Sequence, residues 1–578
     1  MESPSNLNFI PLDVTDDVLH TLHAPLSMED PNSADFGRST NASIRSRTAI
    51  ADRSRSPHAV AEIEKAKEVT EAISPATNSQ RDQPLSHKPN VRCETLALDP
   101  EAEHLLSLFT GIVQPPGAIL ISGVKNWRRV QRHFLAMSKS YEAVLHALLC
   151  VTGVLFMEQT TNYTAQDKQR YLNRIIERHR LATDGVHSIL SSFVQTDQTL
   201  YEPLLAAILL LAWYEVIRDQ GGPAMPFPRA VAEATVTSDV NWSRVSKQLL
   251  SWLCVLDGKA TYSSGEPLLT ELALRAVARY PIQIVSADAE ELDSETEHDS
   301  LEARLRTSLR QPTSPATSVT ATHASPRVLT SARIKQVVLN SIVQPAVEWY
   351  ISTQAFCRRI GSHDRHHRSR GTPDDEFAVI VASKQLEKDL WEVWQQRPTI
   401  MSLSRDELAQ SLSPDLAIRL EELFNLHFAS FWILFVYLHR VTWWHLPHSP
   451  TATAALNNVW QNLQNSYGEV VDGTGSRILH PGLLWPVFLF GTECPDEHRQ
   501  SWAIEQLETL GATRPRSSSV DLGREDLPPF RLSPGATKNA KRAALLLKEL
   551  VKEQNECNAR VDDRQLSIKM FGCYFSIV

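Results

Sequence analysis

The sequence has 578 residues, of which 42% are hydrophobic and 22% are charged, so the chain is not disordered throughout. A chain of this length can bury a large core and is expected to divide into more than one packed unit. Its formal net charge of −9 excludes a general electrostatic attraction to nucleic acid or acidic lipid, although a small basic module could still lie within an acidic chain.

The cysteines do not have the spacing of a metal-binding motif such as CxxC. The seven cysteines are Cys93, Cys150, Cys254, Cys357, Cys494, Cys557 and Cys573. Several stand in apolar runs, which is typical of buried, reduced thiols. The N-terminus shows no basic segment followed by an apolar one, so no secretory signal is visible. We therefore expect a reducing, intracellular compartment.

Residues 1–95 are predicted to form a disordered N-terminal arm. They are rich in Ser, Asn, Asp, Pro and Arg, and their apolar residues follow no sustained period. Arginines alternate with small residues in this arm, at Arg45, Arg47, Arg53 and Arg55. Such a segment could assist nuclear import or contact phosphates, but solvated charge in a tail is the simpler interpretation.

Residues 96–286 are predicted to form the helical first half of the folded region. The strongest segment is 202–219, EPLLAAILLLAWYEVIRD, whose apolar positions cover most of a helix circumference. Its apolar run at 204–213 is far shorter than the roughly 20 residues needed to cross a bilayer, so a buried helix is expected. Residues 141–158 have the same character, and the two helices are expected to pack together.

The helix predicted at 126–140 carries a basic face formed by Arg128, Arg129, Arg132 and His133. This face could contact nucleic acid. Arginine on the solvent-exposed side of an amphipathic helix is more often simply solvated, and we favour that interpretation.

Residues 287–331 are predicted to be a disordered linker, acidic at first and then rich in Ser, Thr and Pro. Residues 332–556 are predicted to form the helical second half, and 557–578 a C-terminal tail. Pro345 is expected to kink or split the first helix of the second half. The sequence Ser-Arg-Asp-Glu that begins at Ser404 is typical of a helix N-terminal cap.

The most metal-like cluster in the sequence lies in residues 361–371. His363, His366 and His367 stand close to Asp364. These ligands would need a helix or a tight turn to point at one ion, and the glycines and proline around them favour a flexible loop. We therefore predict no metal site.

The sequence lacks the common catalytic and cofactor signatures. It contains no phosphate loop with GK[ST], no GxSxG elbow, no HExxH and no GxGxxG after a strand. No reaction is indicated, and we expect no catalytic residues. The predicted fold is all-α, with many helices in two packed halves, a disordered N-terminal arm and an acidic and Ser/Pro-rich linker.

Four segments in a fixed order suggest a family. They are NWRRVQRHFLAMSKSYEAVLHALLCVTG (126–153), LLAAILLLAWYEVIRD (204–219), LLSWLCVLDGKA (249–260) and LLWPVFLFGTEC (483–494). Together they resemble the fungal-specific transcription factor domain, the helical regulatory region of fungal zinc-cluster transcription factors, over about residues 100–556. The resemblance implies a mainly nuclear, non-catalytic region that regulates activity and contacts partners or effectors.

Eight residues match motif residues of that family by position. They are Trp127, Trp213, Glu215, Trp252, Asp257, Trp485, Pro486 and Gly491. For all of them a structural role is expected, because tryptophan fills core volume and Pro and Gly shape helix ends.

One departure from the family concerns zinc. Its members normally carry an N-terminal six-cysteine cluster that binds two zinc ions, whereas the first hundred residues here contain only Cys93. We therefore expect no zinc cofactor and only indirect or weak DNA contact. Either an upstream exon is missing, or a partner supplies the module that reads DNA.

The sequence thus predicts a nuclear transcription regulator of the fungal type, serving a pathway such as secondary metabolism or nutrient use. Its expected partners are other transcription regulators or co-regulators, with which it could form a homo- or heterodimer, and no membrane contact is expected. The alternative is a helical protein-interaction scaffold without a transcriptional role, which binds through a groove between its halves. An enzyme of unrecognised type is a third reading.

Overall fold

Every regular element in the described part of the chain is a helix. The computed structural model describes residues 99–111, 115–120, 124–159, 164–191, 200–218, 227–263, 267–277, 331–368, 370–466, 479–511 and 534–577. Within these ranges there are eighteen α-helices and no strand, so the predicted all-α fold is confirmed. The arm predicted at 1–95, and all but the last residue of the linker predicted at 287–331, lie outside the described residues.

Helices α1 to α9 belong to the first half. They are α1 (Pro100–Gly111), α2 (Gly117–Leu120), α3 (Val124–Ser138), α4 (Glu142–Gln159), α5 (Ala165–Ser191), α6 (Tyr201–Ile217), α7 (Arg229–Val236), α8 (Arg244–Ser263) and α9 (Glu271–Val277). Helices α10 to α18 belong to the second half. They are α10 (Ser331–Gly361), α11 (Pro373–Gln395), α12 (Arg405–Ala409), α13 (Pro414–Thr442), α14 (Pro450–Asn465), α15 (Leu484–Glu493), α16 (Glu497–Gly511), α17 (Pro534–Cys557) and α18 (Asp563–Phe571).

Helix α6 lies at the centre of the first half. Its residues 203–214 are all buried, because apolar side chains surround the helix on every side. Helices α4, α5, α7 and α8 pack around it. The buried helix predicted at 202–219 is therefore confirmed. No helix in the described ranges has both the length and the apolar character that a membrane span requires.

Helix α13 is the central helix of the second half. Its residues Phe431, Ile433, Leu434 and Val436 are completely buried. Helices α10, α11, α14 and α15 pack against it. The buried apolar residues of the described chain form two large clusters and a small third one, and the cluster around α13 also includes Ala118 and Val255 of the first half.

Pro345 does not split α10. The helix runs from Ser331 to Gly361 with the proline inside it. The residues that follow, Ala346 and Val347, are 0% and 1% exposed. Packing of this turn into the core offsets the backbone hydrogen bond that the proline cannot make.

The two halves meet where α8 crosses α10. A Cβ atom on Gly258 would lie 3.1 Å from the backbone oxygen of Gln354, so any larger residue would push the two helices apart by a few tenths of an ångström. A second close approach joins Gly117 to the 3₁₀ turn Pro481–Leu483, because a Cβ atom there would overlap the Pro481 carbonyl group. Helix α17 of the second half also packs on α4.

Residues 557–578, predicted as a tail, contain α18 and a buried end. Phe575 and Ile577 are each 4% exposed. The Asn539 side chain donates a hydrogen bond to the backbone oxygen of Ser576 at 3.0 Å, and the Ser567 hydroxyl donates to that of Cys573 at 2.9 Å. These bonds fasten the end of the described chain to α17 and α18.

We expect Gly117→Ala to lower the free energy of unfolding by about 1–3 kcal/mol, because the added methyl group would meet rigid backbone at Pro481 and Gly482. Gly153→Ala is the matched control, since its Cβ atom would meet mainly the movable side chain of Ile175. Urea unfolding followed by circular dichroism measures both variants. Equal stability of Gly117→Ala and the parent protein would contradict the close approach of the halves.

Candidate functional site

Three of the motif tryptophans meet in the core of the first half. The ring centre of Trp127 lies 5.6 Å from that of Trp213 and 6.2 Å from that of Trp252. None of the three is more than 3% exposed. They come from α3, α6 and α8, so segments that are distant in sequence converge here. Such aromatic pairs add about 0.5–1.5 kcal/mol each beyond their buried area.

The fourth motif tryptophan, Trp485, lies between the halves. The ammonium nitrogen of Lys259, on α8, lies 3.9 Å from the centre of the Trp485 ring. The rings of Tyr262 and Tyr437 approach the same indole at 5.5 and 5.8 Å. Burial lowers the pKa of Lys259. The electron-rich face of the indole compensates in part for the water that the ammonium group has lost.

A buried ion pair between Asp257 and Arg358 joins α8 to α10. Arg358 Nη1 donates to the two carboxylate oxygens of Asp257 at 3.0 and 2.8 Å, and the side chains are 9% and 1% exposed. The backbone amide of Leu269 donates to the same carboxylate at 2.8 Å. A buried charge is tolerated when it is paired and hydrogen-bonded. The buried charge of each residue is therefore stabilised by the other residue, across the boundary between the halves.

The remaining motif residues shape individual helices. Glu215 pairs with Arg218, one turn later, at 2.6 Å. Pro486 lies in the first turn of α15, where its missing amide hydrogen breaks no intrahelical bond. A Cβ atom on Gly491 would lie 2.6 Å from Cδ2 of Leu547, so this glycine lets α17 pack closely on α15. The eight motif residues do not line one common cleft.

The histidines of residues 361–371 point to different partners. His366 pairs with Asp562 at 3.0 Å, and that hydrogen bond raises its pKa. His367 contacts the backbone oxygen of Thr261 at 3.2 Å, whereas Nδ1 of His363 faces Arg368. Within the described ranges, no group of three His, Cys, Asp or Glu side chains is arranged to hold a metal ion.

A second charged cluster surrounds Glu493 at the end of α15. Its carboxylate pairs with Arg440, with His448 Nε2 at 3.0 Å and with Arg560 Nε at 2.8 Å. Burial alone would raise the pKa of Glu493, but the charges of Arg440 and Arg560 and the hydrogen bond from His448 together outweigh it, and the pKa falls to about 2. Arg560 also donates to three backbone oxygens beyond α13, those of Trp443, Trp444 and Leu446.

Sequence reasoning missed this cluster for a simple reason. Glu493 and Arg440 are 53 positions apart, and Arg560 lies 67 positions beyond Glu493. No local period relates the three residues. His439 and His448, at the end of α13 and just beyond it, are the one signal visible in the sequence, and histidines do not specify a carboxylate partner.

A cleft of about 320 Å³ lies in the first half, beside Glu202. The carboxylate of Glu202 accepts hydrogen bonds from Ser243 at 2.6 Å and Ser246 at 3.1 Å, and it also pairs with His133. Burial opposes its charge, yet these bonds lower its pKa to about 2. The sequence placed His133 on the basic face of α3. The structure shows that its side chain pairs with Glu202 of the same half. The cleft wall also carries the aromatic residues Tyr141, Tyr201 and Trp242.

Helix α11 presents an apolar face to solvent. Phe377, Val381 and Trp391 are 68%, 51% and 39% exposed. Lys384 and Lys388 stand between them on the same side of the helix and are also exposed. We call these five residues the α11 face. The two lysines interrupt the apolar side chains, so the α11 face is mixed in character and is not one continuous apolar surface.

Residues 353–521 match the family described as Fungal specific transcription factor domain. The resemblance expected from the sequence motifs is therefore confirmed over this range. The range begins inside α10, includes the α11 face, Arg358 and Glu493, and ends beyond α16. No curated protein and no solved structure matches the chain.

We expect Asp257→Asn to lower the free energy of unfolding by about 3–5 kcal/mol, because it leaves the buried Arg358 guanidinium with only the exposed carboxylate of Glu271 as counter-charge. Glu271→Gln is the matched control. Glu271 pairs with the same arginine at 3.2 Å but is 70% exposed, so its loss should cost less than about 1 kcal/mol. Urea unfolding compares the two. Equal losses would show that the buried pair does not join the halves.

The lowered pKa of Glu493 predicts a pH dependence of stability. Its stabilising contribution is fully present above about pH 4.5, the usual value, and is lost as the pH falls through about 2. Glu493→Gln should therefore be less stable than the parent at pH 7 and should lose less stability between pH 4.5 and 2. Thermal unfolding across this window tests it, with the exposed Glu505→Gln as control. Parallel curves for parent and Glu493→Gln would contradict the assignment.

Proposed function

We propose, from the premise that residues 353–521 form a fungal-specific transcription factor domain, that the chain is a nuclear, non-catalytic regulator of transcription. In this proposal it acts by binding other regulators or co-regulators and controls a metabolic or secondary-metabolite gene set. The family match is the observation that carries the proposal, because that domain is characteristic of fungal transcription regulators.

The roles of the ionisable groups favour partner binding over bond-making. The carboxylates of Asp257 and Glu493 are engaged by arginines that hold helices together. Glu202 is engaged by two serines and a histidine of its own half. A catalytic acid or base must lie within hydrogen-bonding distance of the substrate atom with which it exchanges a proton. The carboxylates of Asp257 and Glu493 instead face their own chain, and that of Glu202, which borders the cleft, is already held by hydrogen bonds from its own half.

The first half is proposed to act together with the matched region. Arg358 lies within residues 353–521, and its partner Asp257 lies on α8 of the first half. Lys259 and Trp485 make a second contact across the same boundary. A partner that binds one half therefore meets a surface whose shape depends on both.

The zinc cluster that the family implies does not fit the cysteines of this chain. Cys93 has no neighbouring cysteine in the first hundred residues. Cys150 and Cys357 are buried in separate helices, and burial raises the pKa of each thiol. Zinc ligation needs thiolates that converge on one point. We therefore propose that DNA contact is indirect and is made by a partner, in a homo- or heterodimer.

We expect a fluorescently tagged full-length chain to accumulate in the nucleus of a fungal host, and deletion of its gene to change the transcript levels of a defined gene set. Asp257→Asn should restore those levels poorly because it weakens the contact between the halves, whereas Glu271→Gln should restore them fully. Microscopy and transcript sequencing measure the two outcomes.

Two results would contradict this proposal. Cytoplasmic fluorescence with unchanged transcripts would favour the scaffold alternative, which predicts partner binding without a transcriptional effect. Turnover of a defined substrate by the purified protein would overturn the non-catalytic assignment.

A further inference from the structure

We propose that the cleft beside Glu202 is a binding site for a small organic amine with an aromatic or apolar body. The volume of the cleft, about 320 Å³, lies at the lower end of the range of about 300–1,000 Å³ that is usual for small-molecule sites. Each described residue that lines the cleft lies between positions 137 and 246, outside the range 353–521. The inference therefore goes beyond the proposed function, because it concerns a ligand of the first half and not a protein partner.

Part of the cleft lining is aromatic and apolar. Tyr141, Tyr201 and Trp242 contribute rings, and Met137 and Val240 contribute aliphatic side chains. The rings of Tyr201 and Trp242 pack edge to face, with their centres 5.9 Å apart, and Trp242 is only 4% exposed. Aromatic walls that are already packed in place bind an apolar body with little loss of conformational entropy.

The polar part of the cleft centres on the carboxylate of Glu202. Its Oε2 accepts hydrogen bonds from the hydroxyl groups of Ser243 at 2.6 Å and Ser246 at 3.1 Å, and its Oε1 contacts Nε2 of His133. Because a carboxylate oxygen can accept two hydrogen bonds, Oε1 keeps one acceptor position beside His133. The Glu202 side chain lines the cleft and is 26% exposed, so a ligand in the cleft can reach this carboxylate.

The hydrogen-bonding groups of the cleft favour a ligand that donates. Each serine hydroxyl has one proton, and both protons point to Glu202, so Ser243 and Ser246 present only acceptor lone pairs to a ligand. Asn241 is exposed and can serve as donor or acceptor. The described residues that line the cleft include neither lysine nor arginine. A carboxylate ligand would therefore face Glu202 with no cationic side chain in the lining, whereas the N–H groups of an amine match the acceptors.

This preference does not depend on the protonation of His133. An ionised carboxylate has no proton to donate, so Nε2 of His133 is the donor whether the ring is neutral or charged. Burial opposes the charge of Glu202, yet the hydrogen bonds from His133, Ser243 and Ser246 lower its pKa to about 2, and the carboxylate is ionised at pH 7. An ammonium group makes stronger hydrogen bonds to an ionised carboxylate than a hydroxyl group does, and aromatic rings attract a cation.

The test is a calorimetric titration of the purified full-length chain at pH 7 with 2-phenylethylamine and with tryptamine. Each amine is compared with the alcohol and the carboxylic acid that have the same ring and chain. We expect each amine to bind about tenfold or more tightly than its alcohol, because its hydrogen bonds to Glu202 are charge-assisted. We expect the two acids to show no binding.

Two variants place the ligand in this cleft. Tyr201→Leu removes one aromatic wall and leaves the hydrogen bonds of Glu202 in place, and it should weaken amine binding about threefold or more. Glu202→Gln should weaken it about tenfold or more and remove the preference for the amine over the alcohol. The matched control is Glu271→Gln, at a 70% exposed carboxylate of the same half that does not line the cleft, and it should leave amine affinity unchanged. Circular dichroism checks the fold of each variant, and Tyr201→Leu decides the outcome if Glu202→Gln is unfolded.

Three results would overturn the proposal. They are no binding of either amine at about 1 mM, an alcohol or acid that binds as tightly as its amine, and amine affinity that Tyr201→Leu or a folded Glu202→Gln leaves unchanged. Nuclear accumulation and transcript levels test the proposed function separately, so either conclusion can fail while the other stands.

Discussion

The buried ion pair between Asp257 and Arg358 is the interaction on which the arrangement of the two halves depends. Both groups have left water, and each is stabilised by the other and by hydrogen bonds from the surrounding chain. The pairing requires α8 and α10 to cross closely, which Gly258 allows. Burial of apolar side chains is not directional, so it could bring two hydrophobic helices together in many orientations. The ion pair, being directional, selects one of them.

The cluster around Glu493 acts in the same way within the second half. It ties the end of α15 to α13 through Arg440 and to the segment before α18 through Arg560. Trp444 lies between two arginines, with Arg365 at 4.2 Å and Arg440 at 4.6 Å from its ring. Buried charge is thus used to hold helix ends in place.

Local features of the fold could be predicted from the sequence because their causes are local. The capping box that begins at Ser404 involves Glu407, three residues later, and both of its hydrogen bonds are present. Pro345 shows the limit of such reasoning, because its local cost is offset by contacts that the neighbouring sequence does not contain. The histidines of residues 361–371 show it too, since their partners Thr261 and Asp562 lie about 100 or more positions away.

By itself, the sequence determined that the described part of this protein is helical and which helix is buried on all sides, and it indicated the family that residues 353–521 match. Hydrophobic period, helix propensity and motif order carry that information along the chain. Only the tertiary structure decided that Asp257 faces Arg358, that Glu493 lies among Arg440, His448 and Arg560, and that Phe377 and Val381 remain outside the core. These outcomes depend on distances between residues that are far apart in sequence. An amphipathic pattern in the sequence does not indicate which apolar side chains another helix will cover.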